Sequence, residues 1–298
     1  MDKVKINLEE CFKYVDKNSD KFVRIFRSML QIPSVSADIT TDPKAPVRTC
    51  GRELVRIMTE RRIDTHMFEL ENGWPLVYGS LHSPNTKKTL IGYGHYDVMP
   101  IGPRDQWLVD PFTAEMVTDV IVARGACDNK GGVMAQVFAA EAILETQGEV
   151  PVNWIFVFDG EEELGSPHLT SWVKANQDEL LNGNALYNID KWGFNRLTVA
   201  RIGSREPPVS PELNDAFAHL VAKAATKVFG FKPEVNDWSA DSIFGMGRMK
   251  QIPAIMTGFG TADHNIHKPN ERVPIADFIR GIKYVISLIG TFAEEWEL

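Results

Sequence analysis

Residues 90–97 read Leu90-Ile91-Gly92-Tyr93-Gly94-His95-Tyr96-Asp97, a short apolar run that ends abruptly in an imidazole and a carboxylate. Such a run is too short for a helix and reads as a buried strand. The pattern recurs downstream. Residues 152–158 are apolar except for Asn153 and run straight into Asp159-Gly160-Glu161-Glu162-Glu163, and 186–189 end in Asp190. A further strand at 252–256 leads into a loop over 257–272 that holds His264 and His267. Helical patterns lie between and around these runs. Phe22, Ile25, Phe26, Met29 and Leu30 share one helical face until Ile32-Pro33-Ser34 stops it, because proline restricts the residue before it. Helices are also predicted over 53–61, over 133–146 behind the glycine-rich stretch 125–132, over 213–229 and over 275–292, with strands at 66–70 and 76–81. Alternation of this kind predicts an α/β fold, a three-layer α/β/α arrangement around a largely parallel sheet.

The 298 residues leave ample core for one large domain. A formal charge of -8 gives no reason to expect a nucleic-acid or anionic-membrane partner. Three widely spaced cysteines, Cys11, Cys50 and Cys127, point to reduced thiols in a cytoplasmic protein rather than to a disulfide framework. No apolar run approaches the roughly 18 residues that span a bilayer, and the first residues alternate charged with apolar positions instead of forming a signal-peptide core.

In open α/β sheets ligands bind beyond the carboxyl ends of the strands, so His95, Asp97, the acids at 161–163, Asp190 and a later histidine are expected to meet there. Imidazole with several carboxylates suits Zn²⁺, Mn²⁺ or Co²⁺, and the absence of clustered cysteines argues against a structural thiolate site. Each feature alone has a plainer reading. A strand-end histidine is commonly a hydrogen-bonded structural residue, an aspartate before a helix is a cap, and a run of acids is a solvated turn. Together they are harder to dismiss, since carboxylates gathered at one edge repel one another unless cations hold them.

Seven segments in this order resemble the M20 family of metallopeptidases and amidohydrolases, of carboxypeptidase G, dipeptidase and succinyl-diaminopimelate desuccinylase type. They are IPSVSA at 32–37, GHYDVMP at 94–100, WLVDPF at 107–112, ARGACDNKGG at 123–132, DGEEELGSP at 159–167, the strand-end Asp190, and HKPNE at 267–271. The resemblance covers nearly the whole chain and implies a zinc-exopeptidase-like catalytic domain. It implies that His95, Asp128, Glu163, Asp190 and His267 bind two divalent ions, zinc foremost with manganese or cobalt as alternatives. Asp128 would bridge the two ions, Glu162 would be the general base, and Asp97 would orient a catalytic group. His267 rather than His264 matches the motif. Glu161 is read as solvated, Lys130 as an ion-pair or helix-start residue, and Cys127 as a packed thiol without an evident histidine partner.

The chain departs from the family at one place. Family members insert a lid domain, often dimerising, after the strand-end aspartate, whereas here RIGSREPPVSPELNDAF at 201–217 looks like sequence that re-enters the catalytic domain. The expectation is a single catalytic domain made of 1–192 and 208–298, joined by a short connection at 193–207, and a monomer or weak oligomer. Arg201 and Arg205 near that junction are candidates for holding a substrate carboxylate. The implied activity is hydrolysis of peptide or amide bonds in small substrates, of dipeptidase, aminopeptidase or carboxypeptidase type. Rivals are an N-acyl amino acid deacylase or desuccinylase and, from another class, a metal-binding regulatory relative with little turnover.

Overall fold

The structure is a computed structural model; it describes residues 5–297 except 38, 39, 41, 43, 177, 179, 191–197, 203–210, 239–251 and 259–261. Its strands are β1 (Asp64–Phe68), β2 (Leu76–Leu81), β3 (Thr89–His95), β4 (Glu115–Val117), β5 (Val120–Val122), β6 (Asn153–Asp159), β7 (Ala185–Ile189), β8 (Thr198–Ile202), β9 (Glu234–Trp238), β10 (Ala254–Thr257) and β11 (Arg272–Pro274). Its longer helices are α1 (Leu8–Lys17), α2 (Ser19–Leu30), α3 (Pro46–Thr59), α4 (Lys130–Gln147), α5 (Leu169–Asn176), α6 (Pro211–Phe229) and α7 (Ile275–Glu295).

Eight strands form the main sheet in the order β1-β2-β6-β3-β7-β10-β8-β9. Its middle, β6-β3-β7-β10, is parallel, while β1-β2, β2-β6 and β10-β8 pair antiparallel. The parallel middle is what aligns the carboxyl ends of β3, β6 and β7. Strand pleating divides the core: Trp154, Phe156 and Phe158 join one cluster, and Ile155 and Val157 the other. The larger cluster lies under α3, α4, α6 and α7, and the smaller packs against α5 through Leu169, Trp172 and Val173.

Helix α4 is buried at every position from 130 to 144; most of these residues are apolar or small, and the polar ones are hydrogen-bonded, Gln136 for example donating to the Tyr93 carbonyl at 2.9 Å. It is wedged between β3 and α7. Phe138 stacks on Phe22 at 4.4 Å between ring centroids, and truncation of such a core aromatic costs about 3–5 kcal/mol. Two differences from the sequence reading have local causes. Helix α1, not anticipated, starts where Asn7 Oδ1 accepts the Glu10 N–H at 3.2 Å, a side-chain cap. Part of the stretch read as a bare connection forms β8, which pairs with β10 and β9; its β-branched Thr198, Val199 and Ile202 give it strand character that the neighbouring glycines and prolines obscured. Among the described residues no helix is long and apolar enough to cross a membrane.

Candidate metal centre

His95 ends β3, Asp190 follows β7, and the turn 160–163 follows β6, so sheet geometry carries three of the expected contributors to one edge. Asp128 comes from the loop before α4 and His267 from the loop after β10. They meet in two clusters that share one residue: His95, Asp128 and Asp190 offer donor atoms within 4.8 Å of one another, and so do Asp128, Glu163 and His267. His95 Nε2 lies 3.0 Å from Asp128 Oδ1 and 3.4 Å from Asp190 Oδ2. On the other side, His267 Nε2 lies 2.9 Å from Asp128 Oδ2 and 3.1 Å from Glu163 Oε2. The two oxygens of Asp128 thus face different imidazoles. Glu162 Oε2 stands 3.7 Å from His95 Nε2.

Local hydrogen bonds explain why these side chains stay in place. Asp97, fully buried, accepts the Glu162 N–H on Oδ1 and the Glu163 N–H on Oδ2, each at 3.1 Å. Ser36 Oγ donates to the same carboxylate at 2.7 Å, and Ser34 Oγ to the Tyr96 carbonyl at 2.7 Å. The IPSVSA segment therefore braces the end of β3. A Cβ at Gly132 would collide with the Ile189 carbonyl, so this glycine lets the start of α4 come against the end of β7. Asn129 Nδ2 donates to that same carbonyl at 2.6 Å, and Asp128 is thereby brought beside Asp190. Lys130 is fully buried and donates to the carbonyls of Met29 at 3.0 Å, in the last turn of α2, and of Ile32 at 2.7 Å, just beyond it.

The electrostatics are those of too many acids in too little water. Burial, joined by Asp190 and Asp128, pushes Glu162 up to about 8 against the opposing pull of His95. Burial also raises Glu163 to about 7, although His267 pulls the other way. Asp190 is raised by burial and by Asp128. Burial works to lower both imidazoles, yet the carboxylates prevail: His95 is held well above its ordinary value and His267 is raised to about 10. Two rings cannot offset Asp128, Asp190, Glu162 and Glu163. A pair of divalent cations fits this donor set, because imidazole nitrogen and carboxylate oxygen suit borderline and hard ions and the added charge relieves the crowding.

Other expectations meet different outcomes. Glu161 is not solvated: it is fully buried, and its carboxylate accepts the Trp74 N–H at 3.2 Å and the His168 N–H at 2.9 Å. The run of acids looked like a turn open to water, but loop 70–75 and His168 close over its first member. Cys127 does have a histidine neighbour, with Sγ 3.4 Å from His264 Nδ1. His264 in turn lies with Nε2 3.6 Å from Asp277 Oδ2 and belongs to neither donor cluster. Arg205 lies outside the described residues, and of Arg201 only the backbone, in β8, is described. Glu271 was quoted within HKPNE but given no role. It is fully buried and takes four hydrogen bonds from the loop carrying Asp128. A signal for it existed in the sequence: an acid entering a strand, and a loop, GACDN, rich in N–H groups that need acceptors.

Fold and site together define an α/β protein with a candidate dinuclear metal centre at the carboxyl edge of its sheet. The chain belongs to peptidase family M20/M25/M40, whose family model matches residues 91–291. It is 33% identical over 184 residues to the Cys-Gly metallodipeptidase dug1 of Schizosaccharomyces pombe, covering 59% of this chain and 39% of that one. It is 32% identical over 193 residues to the Beta-Ala-His dipeptidase of Homo sapiens, covering 59% of this chain and 37% of the relative. The chain thus spans about two fifths of the length of these relatives. In fold it is similar to the solved structure of the di-peptidase Dug1p from Saccharomyces cerevisiae, with a TM-score of 0.84 at 15% identity, covering 98% of this chain and 99% of that one.

Proposed function

We propose that this chain is a two-metal hydrolase of small peptides, a dipeptidase by preference, with His95 and Asp190 holding one ion, Glu163 and His267 the other, and Asp128 both. The observation that carries this reading is the sharing of Asp128 between two donor clusters beside a carboxylate that is in neither, Glu162. Zinc is the ion we expect, with manganese or cobalt as substitutes. Bound there, the ions would polarise the scissile carbonyl and make water acidic enough to supply a nucleophile near neutral pH. Glu162 is the general base in this reading: its carboxylate collects a proton at Oε2 and delivers it to the leaving nitrogen. Asp97 keeps that carboxylate aimed by holding the N–H groups of Glu162 and Glu163. The likeness to the Cys-Gly and Beta-Ala-His dipeptidases supports dipeptides rather than acyl amino acids as the substrates of this chain. We further place 1–192 and 208–298 in one catalytic domain joined at 193–207, and expect an open site, a monomer or weak oligomer, and broad side-chain tolerance. The free thiols Cys11, Cys50 and Cys127 suit a reducing compartment.

The test combines metal analysis of the zinc-reconstituted chain with a panel of dipeptides and N-acyl amino acids. Two ions per chain with turnover of dipeptides support the reading. No bound metal would sink it, and turnover confined to acyl amino acids would move it to the deacylase alternative.

A further inference from the structure

Glu271 lies outside the donor clusters, yet it holds the residue they share. Its Oε1 accepts the N–H of Cys127 at 2.9 Å and of Asp128 at 3.0 Å. Its Oε2 accepts the N–H of Gly125 at 3.0 Å and a guanidinium N–H of Arg124 at 2.8 Å, while its backbone carbonyl accepts the Ala123 N–H at 2.9 Å. Every one of these donors lies in 123–128. Arg124 is 1% exposed, donates its other arm to the Pro100 carbonyl at 3.0 Å, and sits 5.4 Å above the Trp107 ring. A buried carboxylate is tolerated only when it is paired and its lone pairs are filled; here one side chain takes four bonds, three of them from backbone. Glu271 also stands four positions after His267, at the point where that loop enters β11. One carboxylate therefore ties the loop of the shared donor to the loop of the more exposed imidazole.

We propose that Glu271, with Arg124 as its counter-charge, is a positioning residue for the metal centre: it sets where Asp128 stands relative to His267 and so governs uptake of the ion on the Glu163–His267 side. The inference rests on the two-metal reading above. Outer partners that orient metal ligands are worth about 10- to 100-fold in affinity. Here the grip is on backbone N–H groups, so that the loop as a whole, not one ring, is oriented.

The experiment uses the full chain, stripped with a chelator and titrated with Zn²⁺ by calorimetry and with Co²⁺ by visible absorption. Glu271→Gln keeps the volume but turns an NH₂ toward either the Gly125 and Arg124 donors or the Cys127 and Asp128 N–H groups. It is expected to weaken the second ion by about tenfold or more, to alter the absorption band of the second cobalt, and to lower kcat more than it raises KM. Glu141→Gln is the comparison. Glu141 is also buried and paired, with Arg61 Nε at 2.7 Å, but lies away from the site, so its loss should lower Tm while leaving both affinities within about twofold. Should Glu271→Gln fail to fold, Arg124→Lys, which keeps the charge and loses the fork, is expected to weaken the second ion severalfold. Wild-type affinity and spectrum in folded Glu271→Gln, or in Arg124→Lys where that variant is the one measured, overturn the proposal, as does an equal effect of Glu141→Gln. A wild-type chain that takes up no ion would instead overturn the two-metal reading itself.

Discussion

The two halves of the candidate metal centre share Asp128 and little else. On one side the His95 and Asp190 side chains are 0% and 8% exposed, and both residues are placed by neighbouring strands of the parallel middle of the sheet. On the other, the His267 side chain is 30% exposed and comes from a loop, and its partner Glu163 comes from a turn hung on Asp97. Strand ends hold their positions through the whole ladder, whereas a loop position holds only through its own few bonds. On the two-metal reading proposed above, the ions are therefore expected to bind unequally: the strand-built half would be organised before an ion arrives, and the loop-built half would be organised partly by the ion it receives.

The strongest way to break this comparison is to remove what the halves have in common. Asp128→Ala is expected to lose both ions on dialysis and to bring hydrolysis to the detection limit; retention of one tightly held ion would mean that the halves are independent. Next in size is the pair of adjacent glutamates. Glu162→Gln should lower kcat by about 10²- to 10⁴-fold with metal content near wild type, while Glu163→Gln should lose the ion on its own side. The reverse pattern in elemental analysis would show that the two residues exchange roles.

A finer probe separates the halves. His267→Ala is expected to leave about one ion per chain, still bound on the His95 side, and His264→Ala to leave both, since His264 lies beside Cys127 and Asp277 rather than among the donors. Equal loss in the two variants would merge the loop histidines into one site.

The smallest expected effect is on pH dependence. In the metal-free fold Glu162 and Glu163 bind protons up to about 8 and about 7, against 4.5 for a free glutamate. Between those values the folded chain holds more protons than the unfolded one, so metal-free stability should fall as pH rises through the window. His267 acts in the same direction: its contribution is complete below 6.5 and is lost as pH rises through about 10. Ions displace these protons, so the gap in Tm between zinc-loaded and metal-free protein is expected to widen by several degrees from about pH 6 to pH 8. A gap that stays constant would mean that the acids are not competing for protons where the ions sit.

The strand-built half was the legible one. An apolar run that stops at His95, or at Asp190, announces a sheet edge in a few consecutive residues. What stayed hidden depends on partners far away in the chain. Nothing near Glu161 in sequence foretells that Trp74 will lend it an N–H, nothing beside Cys127 announces His264, and the grip of Glu271 spans 143 positions to Asp128. Helix α1 and strand β8 stay hidden for a different reason: charged residues mask the short helical period of the one, and flanking glycines and prolines mask the β-branched run of the other.

The loop that carries His267 has one more property with consequences. Asn265, His267 and Asn270 all have left-handed backbone, with φ of 53°, 59° and 63°. Asparagine, aspartate and histidine enter this region more readily than other residues with a side chain, and β-branched ones scarcely at all. The backbone at 267 therefore restricts the alphabet from which a ligand can be drawn before any metal chemistry is considered. Substitution by drift has a narrow corridor here: aspartate fits the loop and keeps a donor, asparagine fits it and keeps a weaker one, and glycine fits it and ends the ligand. On the two-metal reading, a carboxylate in place of this imidazole would keep the loop intact while shifting the half-site toward harder cations.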